Sequence, residues 1–230
     1  MEKEAGILRY DMKISLPFQK QAYALFFAII LSLVRGVTYS SEIGIAIEAP
    51  MAVLASTFCA DTYTQEIAGR RSEIWRLYPM KKKLNCIYRR IVIQEIFLLA
   101  VAAVSYGLFF LFQNPWPDGI RQSGIENELC QFFVYFAAIA VTIGFWGILS
   151  NFISCLFRNM WAGIGGCLML WLITNSTIGY RYFGAWNLFS YTSRKLDHIS
   201  DFSWICGKMV CICIGIMAVA ALPKIIAKRG

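Results

Sequence analysis

The sequence predicts an all-α integral membrane protein of about six transmembrane helices, with an N-terminal interfacial helix and a short cytoplasmic helix between the second and third spans. Three observations carry this. The 230 residues are 58% hydrophobic and only 16% charged, whereas soluble domains hold about half apolar residues and about a quarter charged ones. The apolar residues gather in membrane-length runs, and at roughly 20 residues per span the chain has room for about six with short connections. The basic residues gather at the ends of those runs, so the net charge of +8 reads as membrane topology and anionic lipid contact rather than nucleic-acid binding.

In residues 1–20, Leu8, Tyr10, Met12, Ile14 and Leu16 alternate with Arg9, Asp11, Lys13 and Ser15 as a half-buried strand would. A lone strand among spanning helices would leave its backbone unpaired. That favours an interfacial helix, with Ile7, Tyr10 and Ile14 on one face and Arg9 and Lys13 opposite. No short apolar core with a small-residue cleavage site occurs here, so the start does not read as a removed signal peptide.

The first span is expected at about 21–38, with Arg35 near its outer end to snorkel. The second, about 42–60, carries Glu48 and Pro50 well inside. A lone carboxylate at mid-depth costs about 2.5 to 3.5 kcal/mol on insertion scales, so Glu48 should face protein or a watery cavity. The third span, about 91–112, has Gln94 and Glu95 one turn inside, and an external loop follows with Asp118, Glu126 and Glu128 against Arg121. The fourth is expected at about 131–152 and the fifth at about 160–178, joined by a turn at Arg158 and Asn159. In the fifth, Gly163, Gly165 and Gly166 offer a small surface for close helix packing. Residues 179–201 read as an external segment hugging the interface, either loop throughout or helical in part, with Tyr180, Tyr182, Phe183 and Trp186 near its start. The sixth span, about 202–222, is expected to end at Pro223, with Lys224, Lys228 and Arg229 behind it.

The segment 61–90, between the second and third spans, breaks the apolar pattern. Arg70, Arg71, Arg76, Lys81, Lys82, Lys83, Arg89 and Arg90 face only Asp61, Glu66 and Glu73, which places the run in the cytoplasm and, with an even number of crossings, both termini there too. Tyr63, Ile67, Ile74 and Tyr78 recur at helical spacing, with Glu66, Arg70, Arg71 and Glu73 on the remaining face and Pro79 as a stop. Adhesion to anionic lipid would explain the charge. It would not explain an amphipathic helix with an aromatic anchor at Trp75 or Tyr78, which suits docking on a protein partner.

Little in the chain reads as catalytic. The single histidine, His198, has no partner thiol or serine elbow, and paired metal-binding histidines at helical spacing are absent. No phosphate-cradling GxxxxGK[ST] occurs, so any ATP must be hydrolysed on another chain. Six of the eight cysteines lie in or beside apolar spans as small hydrophobes, and no CxxC occurs. Glu48 has two readings, a path-lining carboxylate or a structural one bonded to a neighbouring helix. Glu95 is expected to pair with Arg89 or Arg90, and Asp61 to mark a helix boundary.

On this layout, and on TYTQEIAGRRSEIWRLYPMKKKLNCIYRR between spans two and three, the chain resembles the permease subunit of type-2 ABC exporters. In that family an acid-containing stretch leads through a short helix to a proline, then basic residues, then the third span. Glu66, Gly69, Glu73, Leu77, Pro79 and Lys81 to Lys83 fill that pattern, with Arg70, Trp75 and Tyr78 on the same segment. The resemblance implies that 1–230 forms one permease domain in the bacterial cell membrane, with 61–90 as its coupling segment. It implies separate cytoplasmic ABC ATPase subunits as the carriers of ATP, and a second permease chain, identical or related. Lacking a large external domain and a fused ATPase, the chain is similar to small bacterial permeases that export peptides, antimicrobials or lipids. The alternative is a non-transporting accessory, sensory or immunity protein that docks a cytoplasmic partner through the same segment.

Overall fold

The computed structural model describes residues 2–40, 42–68, 77–116, 125–189 and 203–229. Among them the regular elements are helical, and the one extended pairing is an isolated bridge between Tyr39 and Trp116. The helices are α1 (Glu2–Ser15), α2 (Phe18–Val34), α3 (Glu42–Cys59), α4 (Thr64–Ala68), α5 (Met80–Gln113), α6 (Ile125–Phe157), α7 (Met160–Asn175), α8 (Thr177–Phe183) and α9 (Ser203–Arg229), with a 3-10 turn at Gly184–Trp186. Four stretches are long and apolar enough to cross a membrane by themselves. The bent pairs α1–α2 and α7–α8 bring the number to six if each pair is one span.

Helix α3 is the central one, packing on α2, α5, α6 and α7. Its apolar stretch is mostly buried, whereas those of α5 and α9 mostly look outward as lipid-facing helices do. The core runs along it through Ile47, Met51, Ala55 and Phe58 to Leu98 of α5 and Ile143 and Trp146 of α6. A second apolar cluster, Tyr63, Ile87, Ile91, Cys155, Leu222 and Ile226, closes the end of the bundle that carries Arg89 and Arg90, called here the basic end.

Breaks and joins follow from local chemistry. Pro17 disfavours helix at Leu16 and caps α2, so the chain turns by 59° between α1 and α2. The Gln21 side chain donates to Leu16 O, a carbonyl this break leaves without a helical donor. Between α6 and α7, Arg158 takes a left-handed φ of 55° and the Asn159 side chain accepts from Trp161 N, forming the tight turn expected at these two residues. Ser176 separates α7 from α8 at a bend of 62°.

Two expected boundaries are corrected. The helix carrying the third span starts at Met80, not near Ile91, because Pro79 in an extended conformation (φ −62°, ψ 146°) opens a new helix as well as following the segment before it. Its 34 residues make a rod of about 51 Å, against about 30 Å of hydrocarbon core. The first turns therefore extend beyond the apolar slab and carry the basic residues. Nor does Pro223 end the last helix, which continues to Arg229. A proline removes the donor for the carbonyl four residues earlier, here Val219 O, and the Tyr88 hydroxyl donates to that carbonyl at 3.0 Å in its place. The N-terminal segment is a helix as expected, but the residues it turns inward are Asp11 and Ser15, while Tyr10 is exposed.

Candidate functional site: charge clusters at the two ends of the bundle

At the basic end, Asp11 and Ser15 lie one turn apart on α1 and meet Arg90 and Gln94, one turn apart on α5. Arg90 Nε donates to Asp11 Oδ1 at 3.1 Å, Arg89 Nε donates to Asp11 Oδ2 at 2.5 Å, and Gln94 Nε2 donates to Ser15 O at 3.3 Å. Arg90 also donates through Nη1 to Glu66 Oε1 of α4. The turn between α3 and α4 joins in, because the Thr62 hydroxyl donates to Gln94 Oε1 at 2.8 Å. Lys20 of α2 donates to Asp61 Oδ1 at 2.5 Å and to Phe58 O at 2.9 Å. Asp11, Asp61 and Glu66 thus face Lys20, Arg89 and Arg90 in a charge-balanced junction, which buried charges require.

This junction roots the segment expected to dock a partner. Glu66, expected on its polar face, is 5% exposed and bound to Arg90. Tyr63 and Ile67 turn their apolar stripe into the second cluster, against Ile87 and Leu222. At the far end of the segment Leu77 is 84% exposed, Tyr78 and Pro79 are exposed, and Lys81 and Lys82 follow. Gly69, Arg70, Glu73 and Trp75 lie outside the described residues, as does His198. Asp61 is at a helix boundary as expected, its carbonyl accepting from Gln65 N at 2.9 Å at the start of α4.

Glu48, the other candidate, sits on α3 near the opposite end, 1% exposed and paired with Lys208 of α9. The Lys208 ammonium also donates to Thr142 Oγ1 of α6 at 2.7 Å and to Leu188 O at 3.1 Å. The Thr142 hydroxyl is 2.6 Å from Glu48 Oε1 and 3.0 Å from Ala138 O, both acceptors for its proton. Glu48 Oε2 is buried without a hydrogen-bond partner. Beside Pro50, Ala49 O accepts from Trp171 Nε1 at 2.9 Å, tying α7 to the same part of α3.

Lys208 lies within the expected sixth span, and nothing in its local sequence names its partner. The signal that would have found the pair is a lysine and a carboxylate both inside apolar spans, since each charge there requires the other. Glu95 corrects the opposite expectation. Arg89 and Arg90 are taken by Asp11 and Glu66, and Glu95 Oε1 is buried without a partner, close to Gly147 of α6.

Among the described residues no group of three or more histidine, cysteine or acidic side chains could hold a metal ion. What the clusters can do is fix helices relative to one another. No family model, curated protein or solved structure matches the chain.

Proposed function

We propose that this chain is the membrane-spanning permease subunit of an ABC exporter, moving an amphipathic substrate such as a peptide, antimicrobial or lipid with ATP hydrolysed on a separate subunit. The observation that carries the reading is the segment between α3 and α5. It leaves a nearly all-helical apolar bundle at its basic end, rooted by the Glu66 to Arg90 pair, and re-enters α5 past the exposed Leu77, Tyr78 and Pro79. A partner pressing there would act on a buried ionic junction that ties α1, α2, α4 and α5 together. In this reading the basic end and both termini are cytoplasmic, the membrane is the bacterial cell membrane, and a second permease chain completes the path. The scarcity of fixed polar groups in the spans favours an amphipathic cargo over a small hydrophilic one.

Copurification and photocrosslinking test this. A photoreactive residue at Leu77 or Tyr78 in the native membrane should capture a soluble protein with a P-loop ATPase site. Crosslinks to lipid alone, or to a kinase or protease, would replace the permease reading with lipid adhesion or with a non-transporting docking protein.

A further inference from the structure

Lys208 makes more contacts than charge neutralisation requires. Lys208 is 3% exposed, and its ammonium meets Glu48 on α3 and Thr142 on α6, which already supply a counter-charge and a neutral acceptor. The third acceptor, Leu188 O, belongs to neither. It lies just past the 3-10 turn, where the backbone has no helical donor to offer a buried carbonyl. Around it the chain is folded into the bundle: Asn187, Leu188 and Phe189 are all buried. Asn187 Nδ2 donates to Thr174 O at 2.8 Å. The Phe189 ring stacks on Trp146 at 5.8 Å, and the Lys208 ammonium lies 5.9 Å from that ring. One cation therefore joins an irregular segment at the end opposite the basic junction to the two most central helices.

We propose that Lys208 is a latch. Its ammonium, neutralised by Glu48, holds residues 187–189 inside the bundle at the end opposite the basic junction, and that end opens only when the bond to Leu188 O is given up. The latch stands on this geometry alone. Its role as the outward-opening step of transport rests on the permease reading.

The test is thiol accessibility of the whole chain in lipid nanodiscs, without ATP or partner. With the native cysteines replaced, Leu188→Cys provides a reporter at a position 7% exposed. It should react slowly with an impermeant maleimide in the parent, and about tenfold faster once Lys208→Met removes a charged hydrogen bond. Because Lys208→Met strands a buried carboxylate, the deciding variant is the double Glu48→Gln/Lys208→Met, which has no bare charge and should react equally fast. Cys167, fully buried on α7, retained as the sole thiol in a parallel set, should stay slow throughout. Protection of Leu188→Cys in the double variant equal to that in the parent would overturn the latch, leaving packing on Trp146 to hold the segment. An equal rise at Cys167 would overturn it as well, as general loosening. Neither result bears on whether an ATPase binds the basic end.

Discussion

Arg90 donates to the carboxylate of Glu66, 24 residues earlier in the chain, while its Nε holds Asp11 of α1. One guanidinium thus joins the N-terminal helix, the start of the segment between α3 and α5, and the start of α5. All three side chains are 6–7% exposed, so solvent screening discounts the pair little. Replacing Arg90 with Gln should cost about 3 to 5 kcal/mol, the usual penalty for stranding a buried partner. The double variant Arg90→Gln/Glu66→Gln should recover part of that loss. Denaturant unfolding in micelles would measure both, and equal stability of Arg90→Gln and the parent would show that Arg89 alone satisfies the junction.

The glycines of α7 give a paired test of packing. A Cβ on Gly163 would meet Ser154 Oγ and lie 2.6 Å from the backbone carbonyl of Ser150, whereas one on Gly165 would meet nothing within 4 Å. Gly163→Ala should therefore lower stability by about 1 to 3 kcal/mol, the cost of overpacking. Gly165→Ala, in open space, should raise it by up to about 1 kcal/mol through helix propensity. Thermal unfolding of the two variants side by side would check the sign of each.

That contrast marks how much of the molecule was legible in the sequence. Hydropathy located the apolar helices, and the run of small residues marked α7 as a packing helix, but only Gly163 and Gly166 touch a neighbour and nothing local distinguishes them from Gly165. Pro223 read as a stop because the rescue of Val219 O by Tyr88 comes from a residue 131 positions away. The pairing of Glu48 with Lys208 spans 160 positions and of Arg90 with Asp11 spans 79. The sequence shows that charges in apolar surroundings need partners. Which partner each one takes is set by how the helices pack, as the failed expectation for Glu95 illustrates. The break at Pro79 was legible because turn chemistry is a local property.

Topology gives a prediction that does not depend on the transporter reading. The basic bias predicts that single cysteines replacing Ser123 or Ser193 in a cysteine-free background react with an impermeant thiol reagent added outside intact cells. One replacing Ser72 should react only after permeabilisation. External labelling at position 72 would reverse the assignment of the basic end and remove the ground for a cytoplasmic partner.

Glu48 supplies the last prediction, because its pairing separates assembly from function. Glu48→Gln keeps the side chain's size and leaves a carbonyl oxygen to accept from Lys208, which also retains Thr142 and Leu188 O. The ammonium then has no counter-ion, but it keeps its hydrogen bonds, so the loss of stability should be smaller than for Lys208→Met, which strands the carboxylate in an apolar core. Size-exclusion chromatography and thermal unfolding should place Glu48→Gln nearer the parent than Lys208→Met. If the chain is an exporter, substrate-stimulated ATP hydrolysis by the complex should nevertheless change in Glu48→Gln, since a neutral residue at position 48 alters the charge balance that holds α3, α6 and α9 in register at that end of the bundle. Normal hydrolysis and normal export in a well-assembled Glu48→Gln complex would reduce Glu48 to a structural partner of Lys208.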